Sequence, residues 1–167
     1  MENKVRIETK KSEFTVDYPE AVSFAEAQES VFWPASEVKV GKDKQDILVH
    51  MTDSERHGTI TTLKLFTKYE LIIGDEFWLN FVFKNFPRPA DIQPMAALFG
   101  AMELQVHAKF YSTLNEELGL ATDEFYNEYL DDEVMRERVE YLESSLDQKD
   151  KLRALAMFTF GEGAVLL

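Results

Sequence analysis

Apolar positions recur at helical spacing along most of the chain. In residues 20–32, Ala21, Phe24, Ala25, Gln28 and Val31 share one face after Pro19, and Phe32-Trp33-Pro34 ends the pattern. Residues 35–46 form a polar connector with Gly41, anchored by Val38 and Val40, and a short helix is expected over 47–51. Thr52 and Glu55 are spaced as a capping box. From there a helix runs to about residue 86, with Leu63, Phe66, Glu70, Ile73 and Phe77 along one side, until Pro87 and Pro89 stop it. Gly58 and Gly74 inside it allow close packing or a local kink. A second long helix covers about 90–118, with Pro94 in its first turn and Gly119 as its C-terminal cap. Its apolar stripe is Met95, Leu98, Met102, Val106 and Phe110. Thr122 opens a short helix to about residue 129. Residues 131–146 read as a helix with Val134, Arg138 and Leu142 in register and a charged outer face. A last, increasingly apolar helix covers 149–167. Residues 1–18 alternate charge with Val5, Ile7, Phe14 and Val16 and read as an extended arm.

The 167 residues fit one domain, and seven glycines with five prolines favour long helices, so the expected class is all-α. The formal net charge of -13 shows no basic stripe, which argues against a nucleic-acid or anionic-membrane surface. No run of 18 apolar residues and no signal-peptide pattern is present, so a soluble cytoplasmic protein is expected. The chain has no cysteine, so any metal must be held by Asp, Glu or His.

Candidate chemistry centres on Glu103, His107 and Tyr111, at i, i+4 and i+8 on the second long helix. That spacing stacks a carboxylate, an imidazole and a phenol on one face, as a helix presents ligands to a metal ion. Two other long helices offer an acidic residue in an apolar setting, Glu70 and Glu162. Helical phase places Glu70 with Phe66 and Ile73, and Asp75 or Glu76 is the alternative donor. Glu162 either needs a partner for a buried carboxylate or faces solvent. His50 and His57 read as surface histidines, and Met95, Met102 and Met157 as core filler.

These residues resemble a family, the radical-generating small subunit of class I ribonucleotide reductase. His107 and Tyr111 keep that family's His-to-Tyr interval. Leu63-Lys64-Leu65-Phe66-Thr67-Lys68-Tyr69-Glu70 is similar to the helix carrying the first metal carboxylate. Phe32-Trp33-Pro34-Ala35-Ser36-Glu37-Val38 is similar to the Phe-Trp before a Glu-Val connector, and Glu162-Gly163 to the start of the second ligand pair. The order of these features agrees with the family. The family pattern is Glu-x-x-His, however, whereas Glu103 and His107 have three residues between them, and Leu104 occupies the strict position. A π-bulge would absorb the extra residue.

The resemblance implies a ferritin-like helix bundle, incomplete within this chain, holding two iron or manganese ions or a mixed pair. It implies Glu70, Glu103, His107 and Glu162 as metal ligands, Tyr111 as radical carrier and Trp33 as an electron-transfer residue. It further implies a large catalytic subunit as partner and a homodimer of the completed small subunit. A second Glu-x-x-His is expected after Glu162, so the chain reads as an N-terminal portion whose other half is a second polypeptide or missing sequence. The alternatives from the residues are another ferritin-like metal oxidase or oxygenase, and a non-catalytic helical interaction module.

Overall fold

The computed structural model describes residues 7–165 and contains helices and no strand among them. Helix α1 (Pro19–Ser30) starts at a proline whose fixed φ suits a first turn. It buries Ala21 and Ala25 against the helix at Ile92–Met102, where small side chains let two helices approach, and leaves Phe24 and Val31 in solvent. Four short turns follow, Ala35–Glu37, Val40–Lys42, Asp43–Gln45 and Asp46–His50. Of the two expected anchors, Val40 is buried with Ile47, Leu63, Leu114 and Leu118. Val38 is exposed, because the turn at Ala35–Glu37 rotates it away.

Helix α2 begins at Asp53 with both halves of the capping box formed. Thr52 Oγ1 accepts the Glu55 N–H, and Glu55 Oε2 accepts the Thr52 N–H at 2.9 Å. It runs as an α-helix over Asp53–Leu71, widens into a π-helix over Ile72–Val82, and narrows again over Phe83–Asn85. Helix α3 repeats the device, with α-helix over Ile92–Met102, π-helix over Glu103–Ala108 and α-helix over Lys109–Leu118. Gly119 closes it in the left-handed region at φ 74°. The two helices cross where glycines face each other. A Cβ on Gly74 would lie 2.7 Å from Leu104 Cγ and 3.0 Å from Glu103 Cβ, and one on Gly100 would lie 3.2 Å from the Gly74 carbonyl oxygen. Gly58, by contrast, has open space around it.

A short helix α4 (Asp123–Asn127) leads through a 3₁₀ turn (Glu128–Asp131) to α5 (Glu133–Leu146). Helix α5 is rotated from the expected register. It buries Val139 and Leu142 with Met135 and Leu146 alongside, while Val134 and Arg138 face outward. Arg138 is exposed along most of its length, and its charge acts on the buried Tyr69 hydroxyl. Helix α6 (Lys151–Phe160) continues as a π-helix over Gly161–Val165. The main core joins α2, α3, α5 and α6 through Tyr69, Ile73, Phe77, Ala96, Leu142 and Phe158.

The arm, residues 7–18, crosses the end of this bundle without helix. Its apolar residues Ile7, Phe14 and Val16 are exposed, and Val5 lies outside the described residues. Tyr18 packs on the main core, and polar contacts hold the rest of the arm. Asp91, 1% exposed, accepts the N–H groups of Asp17 and Tyr18 at 2.8 and 3.1 Å. Arg88 donates to the Thr9 carbonyl at 2.9 Å and pairs with Asp17, which also pairs with Lys11.

Candidate metal centre

Glu70 leaves α2 in its last α-helical turn, just before the π segment, and Glu103 opens the π segment of α3. The π segment accommodates the extra residue between Glu103 and His107, since i→i+5 bonding adds a residue to the turn. His107 Nδ1 lies 2.8 Å from Glu103 Oε2 and 3.5 Å from Glu70 Oε2. Ligand atoms of the three side chains all fall within 4.8 Å of one another, the spread that one cation spans. The two facing glycines make this possible by letting the helix backbones that carry Glu70 and Glu103 come together.

The charges are strongly coupled. Hydrogen bonds to Glu103 and Glu70 raise His107 to about 10, so it sits as an imidazolium between them. Burial pushes Glu70 up to about 8; the His107 hydrogen bond opposes the rise and the neighbouring Glu103 adds to it. Burial also works to raise Glu103, but the hydrogen bonds from His107 and Glu70 outweigh it and hold that carboxylate below its usual range. Two carboxyl groups sharing one imidazolium is an arrangement that a divalent cation can take over, with neutral imidazole and carboxylates as ligands. The donor set fits iron or manganese.

The other expected site residues surround this trio. Tyr111 is half-buried and stacks on Phe66 with ring centroids 5.5 Å apart. Its phenol is raised by burial, and then by Glu70 and Glu103, so it keeps its proton at neutral pH. Trp33 approaches His107 at 6.4 Å between ring centroids and Phe110 at 6.2 Å. Glu162 stands outside the 4.8 Å cluster and keeps a solvent-facing flank, rather than lying in hydrocarbon. Protein mass packed on its other side and the Glu103 charge still push it up to about 7. Glu162 and Glu103 line one cavity of about 600 Å³. Asp75 and Glu76 are exposed, do not join the cluster, and face a separate cleft with Lys68 and Glu143.

A family model described as ribonucleotide reductase, small chain, matches residues 11–167. The chain belongs to that family. A comparison with curated proteins found no match. Ribonucleotide reductase small chains are all-α and ferritin-like, generally bind a dinuclear metal centre and work with a large subunit. Three features of this small chain did not stand out in its sequence. Gly100 completes the helix crossing, and Trp78 and Phe99 wall the cavity shared by Glu103 and Glu162. Gly100 is three residues before Glu103, a spacing that offered the one available signal.

Proposed function

We propose that this chain provides the first donor helices of the dinuclear centre in a ribonucleoside-diphosphate reductase small subunit. The observation that carries the proposal is the meeting of Glu70, Glu103 and His107 within 4.8 Å in a chain of this family. Glu70, Glu103 and His107 would hold one iron or manganese ion, and Glu162 would bridge to the second or bind it. When bound, the metal pair supplies one-electron oxidising power obtained from dioxygen. Tyr111 would give up its phenolic hydrogen and carry the radical. Trp33, in ring contact with His107, would pass the oxidising equivalent toward the large subunit, where ribonucleotides become deoxyribonucleotides.

Glu70 is placed to bind as a carboxylate once a cation displaces its proton, while Glu103 and His107 are fixed on one turn. These four donors fall short of the roughly six residues that hold two ions in helix-bundle carboxylate sites. The remaining donors would come from a further segment, either a second polypeptide or additional sequence, in a cytoplasmic homodimer. The chain alone is then inactive. Elemental analysis tests this on the chain alone and on the chain co-expressed with the reading frame that follows it. Two iron or manganese ions are expected in the complex, with occupancy falling at least tenfold in His107→Ala. Absence of metal from both preparations sinks the proposal.

The apolar cavity beside Glu103 favours a second reading, a ferritin-like oxygenase acting on a small apolar substrate. Tyr111→Phe and Trp33→Phe separate the two. Both variants abolish ribonucleotide reduction under the first reading and leave oxygen consumption intact under the second.

A further inference from the structure

The chain has two tryptophans, and they lie beside different parts of the candidate centre. Trp33 touches His107. Trp78, in the π segment of α2, lines the cavity into which Glu103 and Glu162 project. Its ring meets Phe99 at 4.8 Å between centroids and Phe77 at 5.1 Å, and Phe77 lies flat on Phe158 at 3.6 Å. Phe99 precedes Glu103 by four residues on α3, and Phe158 precedes Glu162 by four on α6. A continuous aromatic wall therefore joins the indole to the turns that carry both carboxylates.

Phenylalanine is hard to oxidise and indole is easy, so Trp78 is the station on this wall at which an electron is most readily removed. The indole is half-buried in the lining of that open cavity.

We propose that Trp78 is a second redox-active residue, an electron donor on the Glu103–Glu162 side, separate from Trp33. This rests on the metal-centre reading above. Trp78 would give up one electron, which the oxidised metal pair would take up when bound, and its indole N–H proton would pass to water. A one-electron reductant of the thiol or ascorbate class, together with a proton from water, restores the indole. The residue would thus drain oxidising equivalents that are not drawn off through Tyr111 and Trp33.

The experiment uses the assembled subunit, loaded anaerobically with ferrous iron and exposed to dioxygen. Iron content and optical oxidation of the metal are read in parallel with freeze-quench electron paramagnetic resonance and peptide mass spectrometry of oxidised tryptophan. A tryptophan-radical signal and oxidised Trp78 are expected, both lost in Trp78→Phe and retained in Trp33→Phe. Ascorbate should lower the oxidised Trp78 several-fold. Iron that binds and oxidises with no radical or oxidation at Trp78 overturns the proposal while leaving the metal centre standing. Failure to bind iron overturns the metal-centre reading, and this proposal with it. Trp78→Tyr provides the control for packing, since it should keep iron uptake and move the radical signature to a tyrosine.

Discussion

Asp17 shows how much one exposed-looking carboxylate can hold together. It pairs with Lys11 of the arm and with Arg88, which is only 3% exposed, while its own backbone N–H is bound by Asp91. The Lys11 hydrogen bond, together with the charges of Lys11 and Arg88, overcomes partial desolvation and lowers its carboxyl below the ordinary value. The unfolded chain then binds the proton first as pH falls from about 4. The contribution is fully present above the unfolded value and is lost as pH drops through the folded one. Melting temperature measured between about pH 6 and pH 2 should fall more steeply for the wild type than for Asp17→Asn, and the two curves should converge in acid. Parallel curves would show that Asp17 is not linked to folding. Glu55, lowered first by the Thr52 backbone hydrogen bond and then by its hydroxyl, adds a slope of the same sign.

At the level of helices, the function depends on how closely α2 and α3 can cross. Gly74 fills that role by having no side chain, and Leu104, the residue in the strict Glu-x-x-His position, occupies the space that results. Gly74→Ala would drive a methyl group into Leu104 and against Glu103 Cβ, pushing Glu103 away from Glu70. The variant should lose metal affinity by at least tenfold, and Gly74→Ala with Leu104→Ala should recover part of it, as followed by titration with manganese. Full affinity in the single variant would mean that the crossing has slack.

Much of this level was readable beforehand. The capping box, the prolines that end α2, Pro94 in the first turn of α3 and Gly119 act through local chemistry, which a sequence displays. Glu103 and His107 were readable as a pair because a helix repeats. The face of α5 was not, because two stripes overlap there and only the tertiary surroundings decide that Val139 is buried and Val134 exposed. Nor was the mode of arm attachment. The sequence reads as an extended arm without showing what holds it, and its polar ties come from residues more than 70 positions away.

In the molecule as a whole, the helices are joined by a few large side chains. Phe158 brings α6 onto α2 through its stack on Phe77, and it is 1% exposed. Phe158→Ala should cost ~3–5 kcal/mol in chemical denaturation, since the cavity it leaves joins one that already exists. A loss below about 1 kcal/mol would show that α6 is held chiefly by α5. The exposed Phe24, Leu152 and Phe160 show that apolar surface remains on α1 and α6.

The arm also has a place in time. Each of its ties to Arg88 and Asp91 closes a loop of 71 to 79 residues. Loop closure of that length is entropically unfavourable until both ends are positioned. Residues 88 and 91 are positioned only after α2 and α3 have met, since they form the bend between them. Docking of the arm is therefore a late step in folding, and its release an early step in unfolding. A protease nicking the arm would report on whether the bend between α2 and α3 has formed.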